Sequence, residues 1–205
     1  MPHRGSRDRP IPISIVAMLR PPAAAHADRP AFRRPAMTIT IRLLDAADAA
    51  AFKTVRLRAV DTSPTSFLPT LDEEAALPAD EFAARVTPTP VQAVFGAFDG
   101  QTLVGIAGVR RDARTKVAHK ATIWGVYVEP AYRGRGIAQS LLDSATAHAS
   151  HAWQCRQLML CVNAINDAAE RLYASQGFVR IGTEPRALCI DGRFYDEHYM
   201  VKLLA

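Results

Sequence analysis

From Ile123 the chain passes through an apolar run, Ile123-Trp124-Gly125-Val126-Tyr127-Val128, then Glu129-Pro130 and Arg133-Gly134-Arg135-Gly136-Ile137-Ala138. A stretch with Ile137, Leu141, Leu142 and Ala145 on one helical face follows and continues through His148. Strand, glycine-rich loop and helix in that order constrain this chain more than any other feature. A helix start exposes backbone N–H groups that have no intrahelical partner, and it carries partial positive charge. Gly134 and Gly136 present no side chain, so a phosphate can approach the backbone, while Arg133 and Arg135 add charge and bidentate donors. Alone, the segment reads either as an anion site or as a tight strand-to-helix turn with exposed arginines.

Two familiar phosphate loops are excluded. A P-loop needs G-x-x-x-x-G-K-[ST], and no Lys-Ser or Lys-Thr follows these glycines. A dinucleotide fold needs G-x-G-x-x-G, but Gln139 holds the third glycine's place, and Arg156 stands where an acidic residue is wanted.

The flanking sequence completes an α/β pattern. Thr38 to Leu43 alternates as a first strand, and Asp45 can cap a helix from about Ala46 to Val60. Pro64 and Pro69 hold a loop, and a shorter helix runs from about Ala79 to Val86. Val91 to Phe98 and Leu103 to Arg110 flank the hairpin signal Asp99-Gly100, and a third strand spans about Lys120 to Val128. After the loop and its helix come a strand at Gln157 to Val162 and a helix at Asp167 to Gln176, ended by Gly177. Phe178 to Gly182 and Arg193 to Leu203 supply the last strands. The predicted order β-α-α-β-β-β-α-β-α-β-β describes a mixed, mostly antiparallel central sheet flanked by helices.

At 205 residues there is room for one ordinary domain. The formal charge of +5 comes wholly from residues 1–36, which hold seven arginines, no lysine and two aspartates. Residues 37–205 carry 18 basic and 18 acidic groups, so the folded part has no net basic footprint and no nucleic-acid partner is expected. Seven of the 14 prolines also fall in residues 1–36. That segment reads as a disordered extension, with Met37 as the functional start and residues 37–205 as a single domain. Its rival reading is a secretory signal ending at Ala25-His26-Ala27, against which stand Pro12 inside the apolar run and Arg20-Pro21-Pro22 after it. No run approaches the roughly 18–20 apolar residues that cross a bilayer, so no membrane partner is expected. Three cysteines, Cys155, Cys161 and Cys189, show no C-x-x-C spacing. His148 and His151 lack a third ligand, so neither a disulfide framework nor a metal is expected, and a reducing cytoplasm fits.

Context resolves the loop. Arg133, Gly136 and Ala138 resemble the Q/R-x-x-G-x-G/A signature of the GCN5-related N-acetyltransferases, and Val126 to Pro130 resembles the strand that leads into it. Asn166-Asp167-Ala168-Ala169-Glu170-Arg171-Leu172-Tyr173 with Gly177-Phe178 resembles that family's N-x-x-A-x-x-L-Y-x-x-x-G-F pattern. Pro185 to Leu188 and Asp191 to Glu197 resemble its closing hairpin, so the likeness covers about residues 38–204.

The resemblance implies the family's acyl-CoA N-acyltransferase fold and an enzyme that moves an acetyl group from acetyl-CoA to a primary amine by direct attack. The coenzyme is then a co-substrate. Its pyrophosphate would lie on the amides of Arg133, Gly134, Arg135, Gly136, Ile137 and Ala138. Its pantetheine arm would lie along Val126, Tyr127 and Val128, in a gap between that strand and the Val162 strand, touching Asn166. Tyr173 matches the tyrosine that donates a proton to the departing thiolate. The proton acceptor is sought among Glu129, at the end of the central strand, and Glu74 with its neighbour Glu73, in the region that forms the acceptor wall. The acceptor amine is not readable, and a monomer or homodimer is expected. A protein with the same fold that senses acyl-CoA without catalysis is the alternative.

Overall fold

The computed structural model describes residues 38–204. The expectations for residues 1–36 and for Met37 as the start lie outside them. Strands β1 (Ile39–Leu43), β2 (Gln92–Asp99), β3 (Thr102–Arg111), β4 (Lys120–Val128), β5 (Gln157–Asn163), β6 (Val179–Ile190) and β7 (Arg193–Leu203) form one sheet in the order β1-β2-β3-β4-β5-β7-β6. All neighbours are antiparallel except β4 and β5, so the sheet is mixed and mostly antiparallel, as the sequence pattern predicts.

β2 and β3 are covered on both faces, which is why Ala93 to Phe98 and Leu103 to Val109 are almost continuously apolar. On one face, helix α4 (Ile137–Ala147) buries Ile137, Leu141, Leu142 and Ala145 in a core that includes Phe95, Val104 and Val109. On the other, α1 (Ala49–Thr62) and α3 (Ala79–Val86) bury Phe52, Val55, Phe82 and Val86 with Val94, Ile106 and Tyr127. Helix α5 (Asp167–Ser175) buries Tyr173. Among the described residues no helix is long and apolar enough to cross a membrane.

Three elements differ from the sequence reading. The helix expected from Ala46 begins as a separate 3₁₀ turn, Ala46–Asp48, where Asp45 accepts from the Ala47 amide and Asp48 accepts from the Asp45 amide. The stretch read as loop contains α2 (Leu71–Ala75), a single turn started by a reciprocal cap between Thr70 and Glu73. β6 continues to Ile190 instead of stopping at Gly182. Pro185 obscures that strand in sequence, but it falls where the ladder to β7 is irregular, between Glu184 and Leu188, and on an edge strand.

The helical layer is fastened by a buried ionic triad. Glu74 of α2, 1% exposed, takes Arg56 Nε of α1 at 3.0 Å and Arg85 Nη1 of α3 at 2.6 Å. The Arg56 guanidinium also lies 4.6 Å from the centre of the Phe67 ring. Removing the shared carboxylate leaves two guanidiniums facing each other in a poorly hydrated site. Glu74→Ala is expected to cost about 3–5 kcal/mol, read as a lowered urea midpoint.

Candidate functional site

The site begins where the sheet opens. β4 and β5 pair only from Lys120–Gln157 to Thr122–Met159. Beyond Thr122 their facing edges carry N–H and C=O groups that no strand satisfies. On the opposite edge β4 bulges against β3: Trp124 pairs with Gly108 and Tyr127 with Ile106, so Gly125 and Val126 together oppose Ala107. Gly125 takes φ +64°, and the bulge turns the following residues. The opening holds Trp124, whose ring covers Gly108 so closely that a Cβ there would lie 2.2 Å from it. Only glycine at position 108 allows this packing.

Below the opening, the chain crosses Pro130–Tyr132 and enters the glycine-rich loop. Gly134 and Gly136 have φ +73° and +75°, and Gly136 precedes the first residue of α4. A Cβ on either glycine would meet no protein atom within 4 Å, so the backbone at the helix start is open to a ligand. A pyrophosphate suits this cradle on geometry and on helix polarity. The arginines do more than supply charge. Arg133 donates from Nε to the Val128 carbonyl at 2.9 Å and stands over the Tyr127 ring, tying the loop to the end of β4. Arg135 donates to the Ala131 carbonyl and covers the Tyr132 ring.

A cavity of about 480 Å³ joins this cradle to the sheet opening. That is ample for an extended ligand arm. It is lined by Val126, Tyr127, Val128, Arg133, Gly134, Gly136, Ile137, Ala138, Asn166 and Tyr173. Of the residues expected to hold the coenzyme, Arg135 alone is not among its walls. Ser63, Ser66 and Phe67, from the segment after α1, also line it and belong to the region expected to form the acceptor wall. They reach the site by crossing to α5, where Ser66 meets Asn166.

Asn166 combines two roles. Its Oδ1 accepts from the Ala169 amide at 3.1 Å, starting α5, while Nδ2 lies 3.3 Å from Ser66 Oγ. Tyr173 is 8% exposed and packs edge-on to Phe178. Burial pushes its phenol up to about 12. At neutral pH it therefore stays protonated.

The carboxylates depart from expectation. Neither Glu129 nor Glu74 lines the cavity. Glu129, 7% exposed, binds Arg58 Nη1 at 2.7 Å, and its amide donates to the Val104 carbonyl, so it braces α1 against the end of β4. Glu74 is the centre of the buried triad, and Glu73 accepts from the Thr70 amide at 2.7 Å as a helix cap. Position in the chain drew attention to all three, but each side chain is engaged in holding local structure. The carboxylate that does border the opening is Glu197 of β7, which pairs with Asn163 of β5. Its location follows from strand order, since β7 inserts between β5 and β6.

Among the described residues no group of three or more His, Cys, Asp or Glu is suited to hold a metal ion, and the three cysteines are free. His148 is wedged between Phe95 and Trp153, and burial lowers its pKa.

Residues 56–178 match the acetyltransferase (GNAT) family. Over 108 residues the chain is 37% identical to the N-alpha-acetyltransferase RimI of Mycobacterium tuberculosis, covering 53% of this chain and 65% of that protein. Over 83 residues it is 35% identical to the L-2,4-diaminobutyric acid acetyltransferase of Streptomyces avermitilis, covering 40% of this chain and 45% of that protein. Thus the match spans less than two thirds of either relative. A GNAT-family acetyltransferase of Streptococcus pneumoniae, known from its crystal structure, superposes with TM-score 0.66 at 27% identity, covering 82% of this chain and all of that one.

The open cradle separates backbone strain from ligand contact. Gly136→Ala forces an L-residue into a left-handed conformation, at a cost of about 1–2 kcal/mol in unfolding free energy. Its methyl group would also stand where a phosphate approaches. Calorimetric titration with CoA should show at least about a tenfold rise in Kd, equivalent to about 1.4 kcal/mol, with the fold retained by circular dichroism.

Proposed function

The chain belongs to the acetyltransferase (GNAT) family, and from that premise we propose that it transfers the acetyl group of acetyl-CoA to a primary amine by direct attack. One observation carries this reading: a single cavity is lined both by the open helix start and by the buried Tyr173. The two matched relatives, whose names are those of an N-alpha-acetyltransferase and an amino-acid acetyltransferase, support an amine as acceptor.

Each part of the chain then has a task. Backbone amides from Gly134 to Ala138 and the α4 helix start hold the pyrophosphate. The unpaired edge of β4 around Val126 and Val128 binds the amide-bearing arm as a further strand would. Asn166 joins the arm from the α5 side while still capping its helix. These contacts hold the thioester within reach of the amine, turning a bimolecular encounter into a positioned reaction. In the reaction the amine lone pair forms the N–C bond, and the electrons of the C–S bond leave with sulfur. Of the two protons that an ammonium group gives up, one ends on sulfur and one in solvent. Tyr173, held neutral by its burial, donates to the departing sulfur.

The test is CoA-thiol release from acetyl-CoA across a panel of peptide N-termini, lysine derivatives, amino acids, polyamines and aminoglycosides. Amine-dependent release supports the enzyme. CoA binding without it would identify an acyl-CoA sensor instead. Tyr173→Phe should lower kcat by about 10²–10⁴-fold with an unchanged Kd for acetyl-CoA. Because the phenol titrates near 12, it stays protonated as pH rises through the physiological range. Tyr173 should therefore impose no alkaline limb on kcat below about pH 10.

A further inference from the structure

A second, smaller cavity of about 90 Å³ opens from the apex of the split between β4 and β5. It shares Ser66, Val126, Asn166, Ala169 and Tyr173 with the larger cavity, so the two meet beside the phenol. Its other walls include Trp124, Cys161, Asn163 and Glu197.

We propose that this smaller cavity is the acceptor subsite, in which Glu197 receives the substrate's ammonium group and accepts its proton. The acceptor is then a cationic amine with a hydrogen-bond-accepting oxygen close to its nitrogen, as at a peptide N-terminus. This inference rests on the acetyltransferase reading and adds to it the residue that meets the amine.

Charge favours an ammonium ion here. Glu197 lies across from Glu184 in the β6–β7 ladder, and Tyr199 donates its hydroxyl to Glu184 at 2.5 Å. Among the described residues no cation pairs with either carboxylate. Two neighbouring carboxylates without a counter-ion attract an ammonium ion more strongly than a neutral group. Glu129, Glu74 and Glu73 are already bound, by Arg58, by Arg56 with Arg85, and by the Thr70 cap.

The same wall also carries unused donors. Trp124 Nε1 and Asn163 Nδ2 are buried in residues of this same wall and have no hydrogen-bond partner. Asn163 Oδ1 is occupied by the Ile165 amide at 3.2 Å. Asn163 is 3% exposed, so its free amide hydrogens have little access to bulk solvent. Buried donors of this kind are rare in folded proteins and invite an acceptor atom from a ligand. An ammonium ion cannot supply one, and a carbonyl oxygen next to it can. The cavity's size admits an amine head with a short stem and excludes a bulky group at the nitrogen.

The groups facing Glu197 set its titration. Glu184 from β6, Cys161 from β5, Tyr199 on its own strand and Tyr173 from α5 surround it, and none carries positive charge. Burial, and then repulsion by Glu184, raise its pKa above the ordinary carboxylate range. Protonated Glu197 can neither hold an ammonium nor take its proton. Activity is therefore lost as pH falls through that raised value.

The experiment uses the full chain, with trialaninamide as acceptor and propylamine as an ammonium that lacks the oxygen. Glu197→Gln should lower kcat/KM for trialaninamide by about 100-fold and abolish the acid limb, leaving the Kd for CoA within about twofold. Glu197→Asp should recover part of the rate with the limb restored. Propylamine should be at least about tenfold poorer than trialaninamide with the wild-type protein. An acid limb and amine KM unchanged in Glu197→Gln would overturn the assignment. So would a parallel loss of CoA binding, which marks a structural role, and so would propylamine turning over as well as trialaninamide. Wild-type protein that binds CoA yet acetylates no amine sinks the acetyltransferase reading itself, an outcome separate from turnover that ignores Glu197.

Discussion

β4 and β5 run side by side for three residue pairs and then separate, while the sheet remains continuous through β3 on one side and β7 on the other. Parting two strands inside a sheet exposes backbone groups that water would normally cover or a neighbour would bind. It is tolerated here because the outer pairings are extensive: β5 is matched to β7 from Gln157 to Asn163, and β4 to β3 on either side of its bulge. The separation creates the cavity. The bulge at Gly125 and Val126 re-aims β4 across it, and Arg133 fastens the end of that strand to the loop beneath. The open helix start, the unpaired edge of β4 and the Tyr173 phenol are all arranged around one local failure of pairing.

How much of this could be read from sequence depends on how far each interaction reaches along the chain. The helix start at Gly136 was legible because its geometry is local: two glycines at left-handed φ, a strand before and an apolar helical face after. Asn166 and Tyr173 were legible as parts of one helix, a cap and a buried position seven residues later. The placement of Glu129 and Glu74 was not legible, because chain position does not reveal where a carboxylate is directed. Glu129 is captured by Arg58, 71 residues earlier, and Glu74 by guanidiniums from two other helices. Glu197 required knowing that β7 lies between β5 and β6, a strand exchange that periodicity alone does not specify. The extension of β6 past Gly182 was hidden for a related reason. Its edge position excuses a proline that would count against a central strand.

In Tyr173 packing and protonation state share one side chain. Its ring belongs to the core, set edge-on to Phe178, and the same burial keeps the phenol protonated. The Arg56–Glu74–Arg85 triad does the equivalent work for the upper wall. By holding α1, α2 and α3 together, and Phe67 under Arg56, it fixes a segment that has little core of its own.

The split strands also divide the site by chain distance. Half of the residues lining the larger cavity fall between Val126 and Ala138, one uninterrupted stretch of 13 residues that can be grafted as a unit. The walls of the smaller cavity come from Ser66, Trp124, Asn163 and Glu197, brought together only by the completed sheet. A single substitution can retune the second without disturbing the first. Rebuilding it for a differently shaped partner requires coordinated change in segments more than 100 residues apart. In such an architecture the contiguous wall can stay fixed while the scattered one is rebuilt.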